Sequence, residues 1–173
     1  HREWKEKHFM IKMMRIDDRL IHGQVAVVWS KHLAVNRIVV ANDTIVNDEM
    51  QMMTLKMAVP SNIKALIKNV DDSIKLLNDP RAASLNILVV VSNPKDAYRI
   101  NEAVANIPLI NVGNSGRMGT TVEEIQSKEQ IDKNIYVNEE DKKYFKLLNE
   151  SKTKVNIQSV PTEPERLLSD ILK

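Results

Sequence analysis

The chain has 173 residues, of which 43% are hydrophobic, and a formal net charge of +2. This size and composition are typical of one globular domain with a sizeable core, and the small net charge gives no support for nucleic-acid binding. The absence of cysteine excludes disulfides and thiolate metal sites, as expected of a protein in a reducing cytoplasm, and the apolar runs are too short to cross a bilayer.

The first nine residues are polar and without periodicity, and the first methionine is Met10. We expect residues 1–9 to be a disordered leader or tail, with His1 and His8 in no ligand set. The predicted domain then covers residues 10–173.

From Met10 onward, short β-branched runs alternate with amphipathic segments. In chain order the sequence predicts strand 11–16, helix 23–33, strand 37–41, a helix from 50 through 57 to 60, strand 63–67, helix 73–77, strand 86–91, helix 95–105, strand 109–113, strand 134–137, helix 139–149, strand 155–160 and a terminal helix after Pro164. This alternation is typical of βαβ units. It predicts a single α/β domain with an open, mostly parallel sheet and helices on both faces.

Helix starts and core positions are predicted from residue type. Asn47 or Asp48 can cap the second helix, and Asp71 or Asp72 the third. Met50, Met53 and Met57 share one helical face, which predicts that they lie in the core.

The most informative segment is residues 15–25, Arg-Ile-Asp-Asp-Arg-Leu-Ile-His-Gly-Gln-Val, directly after the first strand. The start of a helix offers free amide donors and a partial positive charge, which favour an anion such as phosphate. A neutral imidazole can act there as a nucleophile, and Gly23 lets the backbone approach the bound group. We therefore predict that His22 carries a phosphoryl group and that Arg19 binds its oxygens.

Two carboxylates, Asp17 and Asp18, lie in the same loop. Either could fix the tautomer of His22 or orient Arg19, and the residues alone do not choose between them. A carboxylate aimed at phosphate would repel it, so the arginine-orienting role is favoured.

Other loops follow strands and are expected at the same edge of the sheet. Asn114, Ser115 and Arg117 could contact the phosphoryl group or a partner protein. Asp43 could line the site, although an Asn-Asp pair after a strand is also common in turns.

The sequence lacks the motifs of other functions that this class of fold can host. Neither GxGxxG nor GxxxxGK[ST] occurs, which disfavours a nucleotide-binding enzyme. There is no HExxH and the histidines lack ligand spacing, so no metal and no cofactor are predicted. A non-catalytic regulatory or binding module that senses a phosphorylated partner is the remaining alternative.

The segment from Arg15 to Val25 resembles the phosphorylation-site loop of the IIB component of the mannose/fructose/sorbose family of the bacterial phosphoenolpyruvate-dependent sugar phosphotransferase system. The resemblance continues through Trp29-Ser-Lys, residues 36–43, 58–60 and 111–113, and so extends over most of the chain from Met10 to Val160.

The resemblance implies a histidine phosphocarrier, a protein-phosphohistidine–sugar phosphotransferase. It would accept a phosphoryl group from a phosphorylated IIA protein or domain and pass it to a sugar delivered by the membrane IIC/IID permease. His22 would be phosphorylated on Nδ1, Arg19 would stabilise the phosphate, and Asp17 would be the loop carboxylate. The protein would be cytoplasmic, peripherally associated with the permease, and a homo-oligomer is possible.

Overall fold

The computed structural model describes residues 10–118 and 121–172, and the predicted tail 1–9 lies outside these ranges. The strands are β1 (Ile11–Ile16), β2 (Arg37–Ala41), β3 (Lys64–Lys68), β4 (Ile87–Val91), β5 (Ile110–Val112), β6 (Glu129–Asp132), β7 (Ile135–Val137), β8 (Val155–Ile157) and β9 (Arg166–Leu167). The helices are α1 (Gly23–Leu33), α2 (Glu49–Met57), α3 (Val70–Leu77), α4 (Pro94–Ala103), α5 (Val122–Ser127) and α6 (Glu139–Glu150).

Seven strands form one sheet in the order β3-β2-β4-β1-β5-β8-β9. All neighbours pair in parallel except β8 and β9, and β6 and β7 form a separate antiparallel pair. The predicted open, mostly parallel sheet with helices on both faces is confirmed. The strand order reverses around β1, which lies between β4 and β5. In such sheets the crevice at the carboxyl ends of the strands, near this reversal, is where ligands bind.

Apolar side chains of the central strands divide between the two faces of the sheet. On one face Met13 and Val40 pack with α1 and α2 through Trp29 and Leu55. On the other face lies a larger cluster that includes Phe145 of α6, which is fully buried. Because β4 is covered on both faces, its five residues are all buried, as its uninterrupted apolar run predicts.

The prediction that the α2 methionines lie in the core is wrong. Met50, Met53 and Met57 are 79%, 64% and 79% exposed. The helix carries a second apolar stripe, and it is Leu55 and Met52 of this stripe that pack toward the sheet. Two apolar stripes on one short helix leave the buried face to be decided by tertiary packing.

The predicted terminal helix after Pro164 is also wrong. Residues 166–167 form β9, which pairs with β8, and a short 3-10 turn, Leu168–Asp170, buries Leu168 completely. This pairing uses backbone groups that a helix would need for itself. Arg166 further ties the strand to Asp132 through two hydrogen bonds of 2.6 Å.

Side-chain caps define the starts of helices α2 to α6. Asp48 caps α2, as one of the two predicted alternatives, whereas Asn69 caps α3 in place of Asp71 or Asp72. The short helix α5 and strand β6 were not predicted, although Thr121 and Glu124 form a capping box that marks the start of α5. In the described part of the chain, no helix is long and apolar enough to span a membrane.

Candidate functional site

The loop between β1 and α1 places His22 at the carboxyl edge of the sheet, beside the reversal of strand order. His22 is the N-terminal cap residue of α1 in extended conformation, and its side chain makes no capping hydrogen bond. Two residues with positive φ flank the imidazole, Leu20 of the loop with φ of 62° and Gly23, the first residue of α1, with φ of 47°. For Leu20 this conformation costs on the order of 1–2 kcal/mol, which the burial of the neighbouring Ile21 helps to offset. The backbone is therefore bent so that the imidazole faces back toward the strand end.

Asp17 is the partner of the His22 ring. Its Oδ2 atom lies 3.0 Å from Nε2 of His22, and its side chain is fully buried whereas that of His22 is 24% exposed. The other carboxylate oxygen, Oδ1, accepts the backbone amide of Arg19 at 3.0 Å. Asp17 thus contacts the imidazole with its carboxylate but meets Arg19 only through the main chain. Its geometry matches the fixing of the tautomer and not the arginine-orienting role that the sequence favoured.

The charge of Asp17 decides where the ring proton lies. Burial raises the pKa of this carboxyl, but the hydrogen bond from His22, the charge of Arg15 and the amide of Arg19 together bring the pKa below its ordinary value of 3.8. An ionised carboxylate only accepts hydrogen bonds, so Nε2 of His22 must carry the proton. The lone pair of the neutral ring is then on Nδ1.

Arg15, in the last part of β1, is a site residue to which the sequence reasoning gave no role. Its Nε and Nη2 atoms donate to Oδ2 of Asp17 at 3.2 and 3.0 Å, and its side chain is 3% exposed. Nη1 donates to Asn111 of β5 and to the carbonyl of Gln158. Burial lowers the pKa of Arg15, and the charge of Asp17 acts against this shift.

A signal for this cluster exists in the sequence. Arg15, Asn111 and Asn156 are buried polar residues inside mostly apolar strands. The register aligns them, with Arg15 beside Asn111 and Asn111 beside Asn156. The amide of Asn111 donates to Asn156 at 2.8 Å. Buried polar groups require partners, so three such residues on separate strands indicate a shared network.

Arg19 is exposed, in contrast to the buried residues of this network. It lines a cavity of about 230 Å³ together with Asp18, Asn114 and Arg117. The two guanidinium groups of this cavity are suitable donors for an anion, while Asp18 adds one carboxylate to the same cavity. The first turn of α1 contains no acidic residue and so adds no further negative charge.

The loop after β5 closes over the His22 loop. The Oδ2 atom of Asp18 accepts the amides of Arg117 and Met118 at 2.9 and 3.0 Å, and Nδ2 of Asn114 lies 3.5 Å from Oδ2 of Asp17. The Arg117 guanidinium also packs over the Tyr136 ring, 5.1 Å from its centroid. The structure therefore brings Asp18, Asn114 and Arg117 to the site, with Asp18 holding the two loops together.

Ser115 and Asp43 line a second cavity, of about 570 Å³, that also includes Asp18. Ser115 is buried, and its backbone pairs with the strand pair β6–β7 through Asn134 and Tyr136. Asp43 accepts the amide of Val70 and a guanidinium N–H of Arg99, both at 2.9 Å; these bonds lower the pKa of Asp43. Its contacts join β2 to α3 and α4.

Comparison with known proteins identifies the family. A family model described as the sorbose subfamily IIB component of the phosphotransferase system matches residues 11–173. The fructose-specific EIIB component of Bacillus subtilis is 33% identical over 94% of this chain and 96% of that protein. The IIBSor domain of the sorbose permease from Klebsiella pneumoniae has the same fold, with a TM-score of 0.85 and 27% identity over 94% of this chain and 96% of that one.

Two further relatives are longer than the matched region. A probable phosphotransferase enzyme IIB component of Streptococcus pyogenes is 54% identical over 108 residues, which are 62% of this chain and 66% of that protein. The mannose-specific EIIAB component of Escherichia coli K12 is 32% identical over 95% of this chain but only 49% of its own length. The chain thus spans about half of the latter protein. With the fold and these matches in agreement, the chain belongs to the sorbose subfamily of phosphotransferase-system IIB components.

Proposed function

We propose that this chain accepts a phosphoryl group on Nδ1 of His22 from a phosphorylated IIA protein or domain and transfers it to a sugar. The observation that carries the proposal is the 3.0 Å contact between Nε2 of His22 and the buried carboxylate of Asp17. This contact keeps the ring proton on Nε2 and the nucleophilic lone pair on Nδ1, at the start of α1 and in the same loop as Arg19.

Transfer of the phosphoryl group from the donor phosphohistidine to His22 requires no co-reactant. The lone pair of Nδ1 forms the new N–P bond while the N–P bond of the donor phosphohistidine breaks, and its electron pair returns to the donor ring. The proton on Nε2 stays in place. The phosphorylated ring then carries positive charge, which the Asp17 carboxylate offsets, and the Arg19 guanidinium binds the phosphoryl oxygens during the transfer.

Around this centre Asp18, Asn114 and Arg117 shape the entrance, and Gly23 keeps the start of α1 open. The acceptor sugar would be presented by the membrane IIC/IID permease, so the chain would act in the cytoplasm and in peripheral contact with the membrane. A non-catalytic module that senses a phosphorylated partner is not favoured, because the chain belongs to a family of phosphotransferase components.

The proposal is tested by incubating the chain with phosphoenolpyruvate, the general phosphotransferase proteins and a cognate IIA, followed by detection of an acid-labile phosphoryl adduct. The adduct is expected on the native chain and on His32→Ala, a matched control in which the second histidine of the loop–helix segment is removed, and not on His22→Ala. Equal labelling of His22→Ala would overturn the assignment.

A second arm tests transfer to sugar. Vesicles that contain IIC and IID are added to the labelled chain, and labelled sugar phosphate is expected. If the label stays on the protein in the presence of each candidate sugar, the sensor function is supported instead.

A further inference from the structure

The buried guanidinium of Arg15 is the least expected feature of the site, because it does not face the region where phosphate would bind. Its hydrogen bonds are directed into the protein: to Asp17 through Nε and Nη2, and to Asn111 and the carbonyl of Gln158 through Nη1. Its Cζ atom also lies 5.6 Å from the centroid of the Trp29 ring. An arginine with this environment does not act on substrate directly.

The surroundings of Arg15 are built to hold it in one position. Gly113 directly follows β5 and lies next to the guanidinium, and a Cβ atom at this position would overlap with Nη2 and Cζ of Arg15. On the α1 side, Trp29 is itself fixed by the hydrogen bond from Nε1 to the carbonyl of Ser159 at 2.8 Å. The end of β5, helix α1 and the segment after β8 thus fix the guanidinium from three directions.

Two donors of the Arg15 guanidinium, the fork formed by Nε and Nη2, in turn fix one oxygen of Asp17. Oδ2 accepts both Nε and Nη2 of Arg15, and this is the same oxygen that meets Nε2 of His22. The two donors of one planar guanidinium converge on Oδ2 and fix the position of this oxygen more tightly than a single ammonium donor would, while the amide of Arg19 holds Oδ1. Arg15 therefore fixes the oxygen that Asp17 presents to the imidazole.

We infer that Arg15 is a positioning residue for phosphoryl transfer: acting through Asp17, it holds the His22 ring with its proton on Nε2 and its reactive lone pair on Nδ1. The inference rests on the proposed function for its kinetic consequence but not for its structural one. Without these two donors, Oδ2 of Asp17 is no longer held in place and the imidazole samples other orientations. Small displacements of a reacting group slow such a step by about 10- to 100-fold.

The test uses Arg15→Met, which keeps the apolar stem, and Arg15→Lys, which keeps the charge without the fork. Two quantities are measured on folded protein: the NMR signal of the His22 Nε2 proton, which Asp17 shields from solvent exchange, and the rate of His22 phosphorylation. For both variants we expect the proton signal to broaden or vanish and the rate to fall about 10- to 100-fold.

The matched control is Arg166→Met, which removes an arginine–aspartate pair at the sheet edge and should leave signal and rate unchanged. If Arg15→Met does not fold, Arg15→Lys alone decides the question. A folded variant with the native ring-proton signal and the native rate would overturn the inference. Failure of the native chain to accept phosphate would refute the proposed function instead, and the ring-proton signal would still report on Arg15.

Discussion

Replacement of Asp17 by asparagine is the perturbation with the largest predicted effect on stability. The carboxylate is fully buried and pairs with Arg15, which is 3% exposed. The Asp17→Asn variant would leave this guanidinium buried without a counter-ion. Loss of one partner of a buried ion pair costs about 3–5 kcal/mol. For a domain of this size, at about 2–4 °C per kcal/mol, the expected fall in the melting temperature is about 6–20 °C.

The contribution of Asp17 to the free energy of unfolding should decrease at low pH. The pKa of Asp17 in the folded protein is below 3.8, so its ionisation contributes stability above about pH 4, and this contribution is lost as the pH falls through the folded pKa. The amide of the variant has no such titration. The difference in unfolding free energy between the native chain and Asp17→Asn should be large at pH 7 and become progressively smaller below about pH 4.

Urea denaturation at a series of pH values measures this difference directly, and the other carboxylates cancel because both proteins contain them. Asp132→Asn is the matched control. Its partner Arg166 is half exposed, so the expected cost is about 0–1 kcal/mol. A cost of Asp17→Asn no greater than that of Asp132→Asn, or a difference that stays constant from about pH 7 to about pH 3, would refute the assignment of a buried Arg15–Asp17 pair.

Three further predictions concern separate parts of the molecule. Arg19→Ala should slow phosphorylation of His22 about 10- to 100-fold without a change in the melting temperature, since the lost charge-assisted hydrogen bonds form only with the phosphoryl group; an unchanged rate would exclude the role of Arg19. Asn138→Ala removes the capping box of α6 and should lower the unfolding free energy by about 1 kcal/mol in urea denaturation; no loss would show that the cap is unimportant. Single Met→Gln replacements at Met50, Met53 and Met57 should each change the free energy of unfolding in urea by less than about 0.5 kcal/mol, because these side chains are exposed. Losses several times larger would show that these methionines lie in the core.

Much of the fold could be predicted because its signals are local. The strands β1, β2 and β4 are short β-branched or apolar runs, and each ends at polar residues that turn the chain. The position of His22 after the first strand and before the first helix follows from the same pattern. Capping residues such as Asp48 can be predicted because the amide that they cap lies within four residues of them in the sequence.

What could not be predicted depends on contacts distant in the sequence or on the choice between two surfaces. Arg15 and Asn111 are 96 residues apart, and only the β1–β5 register brings them together. The role of Asp17 depends on a loop bent at Leu20, an unusual conformation for a leucine. In α2 the methionine stripe and the stripe with Leu55 are both apolar, and packing against the sheet selects the latter.

The phosphorylated imidazole itself offers the most direct test, because Asp17 is proposed to hold Nε2 of His22 and to leave Nδ1 for the phosphoryl group. NMR of the phosphorylated chain, with nitrogen-15 in the histidine rings, reports which ring nitrogen is bonded to phosphorus. We expect a coupling between phosphorus and Nδ1 of His22, with the Nε2 proton retained. A phosphoryl group on Nε2, or on a residue other than His22, would contradict the proposed role of Asp17 and His22.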